Sequence, residues 1–187
     1  NRFCRRLDTK GYPDFKLQLA QSLANATPYV HRKINESDTV EEYSAKVFES
    51  TIAKLEHTRN NLNTSAINQA VNALIQTNKI TFIALGTSAI AAHDAQNIFF
   101  RFNVPSMYLD DILMQHTCAI NSKKGDVVVV ISHTGSTKTL VDVATLAREN
   151  DATVIGITIA DSPLAKACNI VLSVNVVEDT DLYMPMT

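Results

Sequence analysis

Cysteine is scarce in this chain. Cys4, Cys118 and Cys168 are an odd number at irregular spacing. That excludes a disulfide framework and reads as reduced thiols in a cytoplasmic protein. Long apolar runs are missing too: a stretch such as Asp126-Val-Val-Val-Val-Ile131 is far too short to span a membrane. No charged segment followed by an apolar one opens the chain, so no secretory signal is read. His31, His57 and His116 stand at no metal-ligand spacing with one another or with the cysteines, so no metal is assigned. Low-complexity segments and internal repeats are absent. What is present is ordinary for a globular protein: 187 residues, 45% hydrophobic and 19% charged, with a net charge of -2. This excludes a disordered or collagen-like chain and allows one good-sized domain with a small appendage.

The charge is unevenly placed. Arg2, Arg5, Arg6, Lys10 and Lys16 outweigh Asp8 and Asp14 at the start, and the remainder is acidic. A basic end on an acidic body fits contact with a polyanion, and equally a solvated helix face. Phe3 and Leu7 are spaced i, i+4 with the three arginines mostly off that side, as at the end of a basic amphipathic helix. The chain begins mid-helix and without Met, so it reads as a fragment cut inside an N-terminal element.

Lys10-Gly-Tyr-Pro-Asp14 is a turn leading to a helix with Phe15, Leu19 and Leu23 on one side. Residues 25–38 are polar and read as a linker. Thr39 caps a helix through Asn61, with Glu42 completing a capping box and pairing with Lys46. Val40, Tyr43, Val47, Thr51, Leu55, Thr58 and Leu62 form its stripe, and Phe48 and Ile52 give it a second apolar edge. A helix follows over 65–78, and from there strands and helices alternate. Strands are expected at 80–85, 106–109, 126–131, 153–158 and 170–174. Helices are expected from Ser88 to Phe102, over 111–120, from the 132–137 loop to Asn150, and near Pro163–Cys168. The run 126–131 is apolar on both faces, as a central parallel strand must be. The pattern predicts right-handed βαβ units and a parallel sheet.

Two strand-to-helix loops are rich in small and hydroxyl residues: Gly86-Thr-Ser88 and Ser132-His-Thr-Gly-Ser-Thr137. With a strand order of 2-1-3-4-5 the two loops face each other across the crevice where strand order reverses, the usual place for a ligand. Each opens a helix, so unpaired N–H groups and the positive end of the helix dipole point into the gap. Together they suit a phosphate. Gly86-Thr-Ser88 alone reads better as an ordinary cap and turn, whereas one cap does not need the four hydroxyls of the second loop. Neither loop is a Walker A or G-x-G-x-x-G pattern, so no nucleotide cofactor is assigned.

Both loops resemble the phosphate loops of SIS (sugar isomerase) domains, and residues 1–16 are similar to the end of the helix-turn-helix domain in RpiR-type transcription regulators. Phe99-Phe-Arg-Phe-Asn-Val-Pro105, Ala147-Arg-Glu-Asn-Asp-Ala-Thr-Val154 and Glu178-Asp-Thr-Asp-Leu-Tyr-Met-Pro-Met186 resemble the HexR-type branch, which controls hexose catabolism. The resemblance implies an α/β, three-layer flavodoxin-like SIS domain with a five-stranded parallel sheet over 64–187, its C-terminus incomplete. It places a helix-turn-helix remnant at 1–24, a linker at 25–38 and a connecting helix at 39–63. It further implies phosphosugar contacts from Ser88, Ser132, Thr134 and Thr137, with Gly86, Thr87, His133 and Ser136 in the same loops. DNA contacts are implied for Arg2, Arg5 and Arg6 in the full-length protein. The effector implied is 2-keto-3-deoxy-6-phosphogluconate, and no catalytic residue is assigned.

Two other residues stand near the loops. Lys138 can add charge or simply face solvent, and His93 can reach a sugar or pack on the surface. An aldose–ketose isomerase using the same loops needs a base at the reacting carbons, for which Glu178 or Asp179 is placed after the last strand. A protein-interaction domain with vestigial loops is a third reading. The surplus apolar edges of the 39–61 and 91–102 helices predict a homodimer or higher oligomer, matching a two-fold DNA site.

Overall fold

A computed structural model describes Lys16, Asn35 and residues 37–175. The expected helices around Phe3 and Phe15, most of the 25–38 linker, Arg2, Arg5, Arg6, Cys4, His31, Glu178 and Asp179 lie outside the described residues. The chain divides into two compact units between Glu56 and His57, within the first described helix.

That helix, α1 (Val40–Asn60), starts as its capping box dictates. The Thr39 N–H donates to Glu42 Oε2 at 2.9 Å, and the Glu42 N–H donates back to Thr39 Oγ1 at 3.2 Å. Glu41 and Glu42 sit in its first turn and His57 and Arg59 in its last, both matched to the helix dipole. Lys46 bonds both carboxylate oxygens of Asp38 at 2.6 Å, and its charge also acts on its expected partner Glu42. The Lys46 hydrogen bond holds the Asp38 carboxyl below its usual range, and the Thr39 N–H does the same for Glu42. Both apolar edges of α1 are exposed: Val40, Tyr43 and Leu55 on one, Phe48 and Ile52 on the other.

The second unit runs α2 (Thr64–Ile75), β1 (Lys79–Ala84), α3 (Ser88–Phe100), β2 (Ser106–Leu109), α4 (Ile112–Ile120), β3 (Asp126–Ile131), α5 (Lys138–Glu149), β4 (Thr153–Thr158), α6 (Pro163–Ala167) and β5 (Ile170–Ser173). The five strands form one parallel sheet in the order β2-β1-β3-β4-β5, as the sequence pattern predicts. Side chains alternate across it. Val127 and Val129 of β3 join Ile80, Phe82 and Ala84 of β1 against α2 and α3, which contribute Ala66, Ala70 and Ala92. Val128 and Val130 join Ile83 and Val154 against α4, α5 and α6, which contribute Ala119, Val143, Ala144, Ala147 and Leu164. Alanines on α2, α3, α4 and α5 bring these helices close to the sheet, with Leu140, Val143 and Leu164 filling the core beside them.

Two helices stop short of expectation. α2 ends at Ile75 because Asn78 is held just ahead of the sheet: its N–H donates to Gly125 O at 2.8 Å, and Thr77 Oγ1 donates to Lys79 O at 2.7 Å. α3 ends at Phe100, and Asn103 beyond it takes φ 57°. Among the described residues no helix is long and apolar enough to cross a membrane.

Candidate functional site

The sheet builds the crevice before any side chain contributes. Right-handed crossovers run from β1 to β2 in one direction and from β3 to β4 in the other, so α3 and α5 lie on opposite faces. The last residues of β1 and β3, Ala84 and Ile131, are register partners. The 85–87 and 132–137 loops therefore leave side by side from the carboxyl edge of the sheet and turn to opposite sides.

The second loop is braced from behind. The Ser132 N–H donates to Ile157 O at 3.1 Å, Ile159 N–H to His133 O at 3.3 Å, and Leu164 N–H to Gly135 O at 3.0 Å. Gly135 has φ 61°, and a Cβ there would collide with the hydroxyls of Thr158 and Ser162. Only glycine satisfies both demands. Ser132 is buried beneath the loop, its Oγ accepting from the Gly135 N–H at 3.3 Å. Thr134 and Ser136 are exposed above it and bond each other's backbone: Ser136 N–H to Thr134 Oγ1 at 3.4 Å, and Ser136 Oγ to Thr134 O at 3.2 Å. Nothing in the sequence marks Thr158 and Ser162, which hold the loop's underside. Both stand at ordinary strand-end and cap positions, and their proximity to Gly135 is a property of the packed fold.

The first loop is open. Gly86 has φ 60° with nothing within 4 Å of its would-be Cβ, and Gly86 and Thr87 are both exposed. Ser88, half-buried, begins α3.

Helix starts separate the site from the rest of the molecule. Of the six described helices, α1, α2, α4 and α6 have side-chain caps, from Thr39, Asn63, Asp111 and Ser162. The two remaining helices are α3 and α5, the pair opening on the crevice. Their N-cap residues, Thr87 and Thr137, make no side-chain capping bond, and neither helix carries an acidic residue in its first turn. No side-chain acceptor or carboxylate offsets the positive dipole end at either loop, although the Ala89, Ile90 and Leu140 N–H groups turn back to Gly86 O, Thr87 O and Thr137 O. This arrangement can hold an anion rich in acceptor oxygens.

Other candidates fall away from the crevice chemistry. Lys138 is exposed and pairs with Asp142 one turn along, at 2.7 Å. His93 is exposed on α3, its ring 5.5 Å from that of Tyr108. Cys168, at the end of α6, has its thiol pushed up to about 12 by burial, with Arg148 opposing the shift, so the thiol is uncharged. Among the described residues no three His, Cys, Asp or Glu side chains come together as a metal site.

The SIS-domain family profile matches residues 73–187, the stretch that contains both loops and the whole sheet. The chain belongs to the SIS-domain family. It is 60% identical over 186 residues to the HTH-type transcriptional regulator HexR of Escherichia coli, matching all of this chain and 64% of that protein. It is 49% identical over 187 residues to HexR of Pseudomonas aeruginosa, with 66% of that protein matched. The chain thus spans just under two thirds of the length of these relatives. Among solved structures, the Vibrio vulnificus NanR protein complexed with ManNAc-6P is similar, at 26% identity and a TM-score of 0.68 over 92% of this chain and 61% of that one. The SIS assignment matches the three-layer architecture and the 2-1-3-4-5 order found here.

Proposed function

We propose that this chain is the effector-sensing part of a cytoplasmic transcription regulator of hexose catabolism, and that its SIS domain binds a phosphorylated sugar acid and thereby changes DNA binding. The observation that carries the ligand reading is the pairing of uncapped, unneutralised helix starts at α3 and α5 across one crevice. A phosphate between them takes N–H groups from both helices and hydroxyl donors from Thr87, Ser88, Thr134 and Thr137, while Ser136, whose hydroxyl donates to Thr134 O, and Ser132 and His133 shape the loop. The effector we favour is 2-keto-3-deoxy-6-phosphogluconate. The regulator reading is supported by the relatives named HexR and by the NanR complex with a phosphorylated sugar.

The test is thermal shift and calorimetry on the full-length protein with 2-keto-3-deoxy-6-phosphogluconate and other phosphosugars. Binding of at least one is expected, and Thr137→Ala should weaken it by about 1.5–3 kcal/mol, one charge-assisted hydrogen bond. No binding by any phosphosugar would remove the sensing role, and turnover of one would make the protein an isomerase. In the DNA head, Arg5→Ala or Arg6→Ala should flatten the log–log salt slope of operator binding by about 0.9 for each phosphate that is no longer neutralised.

Assembly belongs to the same reading. Phe48, Ile52 and Leu55 of α1 and Ile90, Ile98 and Phe100 of α3 are exposed, more apolar surface than two helices usually leave in water. A homodimer, or a higher homo-oligomer, covers such faces and matches a two-fold operator. Light scattering on the full-length protein should give at least a dimer, and a monomer that still binds operator tightly would defeat this.

A further inference from the structure

The first loop has no brace like the one Thr158 and Ser162 give the second, yet one buried side chain lies directly under it. Gln115 is on α4 and is fully buried, an uncommon place for a glutamine. Its Nε2 donates twice, to Leu109 O at 2.9 Å and to Ala84 O at 3.2 Å. Those carbonyls are the last residues of β2 and β1. The β1–β2 ladder closes at the pair Ile83–Leu109, and β1 runs one residue further, to Ala84, beside β3 only. The amide therefore carries the ladder on where backbone pairing between β1 and β2 has ended. The residues that follow β1 are Leu85, Gly86 and Thr87.

Both amide hydrogens are committed, and the other end of the group shows what that costs. Gln115 Oε1 is buried and receives no hydrogen bond. A buried acceptor left unpaired is unfavourable, so the favourable part of this side chain is its two donated bonds. Cys118, one turn along the same inner face, bonds instead to mid-strand Thr81, with 3.5 Å between sulfur and hydroxyl. Gln115 thus differs from its neighbour in holding strand ends rather than strand middles.

We propose that Gln115 is a positioning residue for the anion site: by stapling the carboxyl ends of β1 and β2 it fixes where the 85–88 loop enters the crevice, and with it the start of α3. This rests on the phosphosugar reading for its ligand but not for its effect on the loop. The test uses the full-length protein and two measurements, hydrogen exchange of the amides of 85–90 and calorimetric affinity for 2-keto-3-deoxy-6-phosphogluconate and for inorganic phosphate, well below the melting temperature. Gln115→Met keeps the length and removes both donors. It should speed exchange in 85–90, read at the Ala89 and Ile90 amides bonded to Gly86 O and Thr87 O, about tenfold, leave 132–137 unchanged, and weaken ligand binding about tenfold. Cys118→Ala should lower the melting temperature without either effect, and Gln115→Asn, too short to reach both carbonyls, carries the same test if the Met variant does not fold. Unchanged exchange in 85–90, or equal losses of affinity in the Gln115 and Cys118 variants, would overturn the proposal. If the unaltered protein binds neither probe but Gln115→Met still loosens 85–90 alone, the staple stands and the phosphosugar reading is what falls.

Discussion

The two loops of the crevice leave the ends of paired strands, and they are supported in opposite ways. The 132–137 loop is packed against β4 and α6, with Thr158 and Ser162 pressed to Gly135 and backbone bonds from Ile159 and Leu164. The 85–87 loop has open space around Gly86 and is held at its root, where Gln115 bonds Ala84 and Leu85 packs on the core, and by the first turn of α3, whose Ala89 and Ile90 N–H groups donate to Gly86 O and Thr87 O. A positive φ at glycine is therefore one requirement in the first loop and one of two in the second. The lesson is that equal backbone conformation does not mean equal tolerance.

The largest expected effect breaks the comparison at its stronger end. Gly135→Ala adds left-handed strain of about 1–2 kcal/mol and an overpacking cost of about 1–3 kcal/mol. Chemical denaturation should show a loss of about 3 kcal/mol or a chain that does not fold. Gly86→Ala meets the strain alone, so the loss should stay near 1–2 kcal/mol with the fold intact, on the order of the left-handed strain itself. Equal losses at the two glycines would mean that the brace behind Gly135 contributes nothing.

A smaller effect separates crevice helix starts from the others. Asp111→Ala removes the bond its carboxylate accepts from the Met114 N–H at 2.8 Å and should cost about 1 kcal/mol of stability. Thr137→Ala and Thr87→Ala remove no capping bond and should stay within about 0.5 kcal/mol. A stability loss at Thr137 as large as that at Asp111 would show its hydroxyl to be structural.

A further test, read from pH dependence, sharpens the description of the second loop's support. The Cys168 thiol sits above its ordinary value of 9, at about 12, because burial disfavours the thiolate. The unfolded chain ionises first, so this contribution is present below pH 9 and is lost as the pH rises toward 12. Melting temperature should fall over that range, and less steeply in Cys168→Ala than in the unaltered protein.

Much of this was legible from the residues. Strands 126–131 and 153–158 have the bounds their apolar and β-branched runs predict, since a mostly buried strand leaves little room for another assignment, and 106–109 keeps its expected bounds as a partly exposed edge strand. The Thr39–Glu42 capping box formed as its spacing predicts. Local patterns failed where a distant partner decides. The 65–78 pattern lost its last turn to a bond with Gly125, far along the chain. In the site, the hydroxyl clusters could be read directly, whereas the empty caps of α3 and α5 and the burial of Gln115 could not. A glutamine in a helix looks like a surface residue until the sheet is placed beneath it.

α3 and α5 lie on opposite faces of the sheet, and their N-termini open at the same edge between β1 and β3. Any anion gripped by both is a rivet through the slab, joining the front layer to the back without adding a covalent bond. Were the proposed phosphosugar to take that place, it would tie one face of the sheet to the other through the two helix starts.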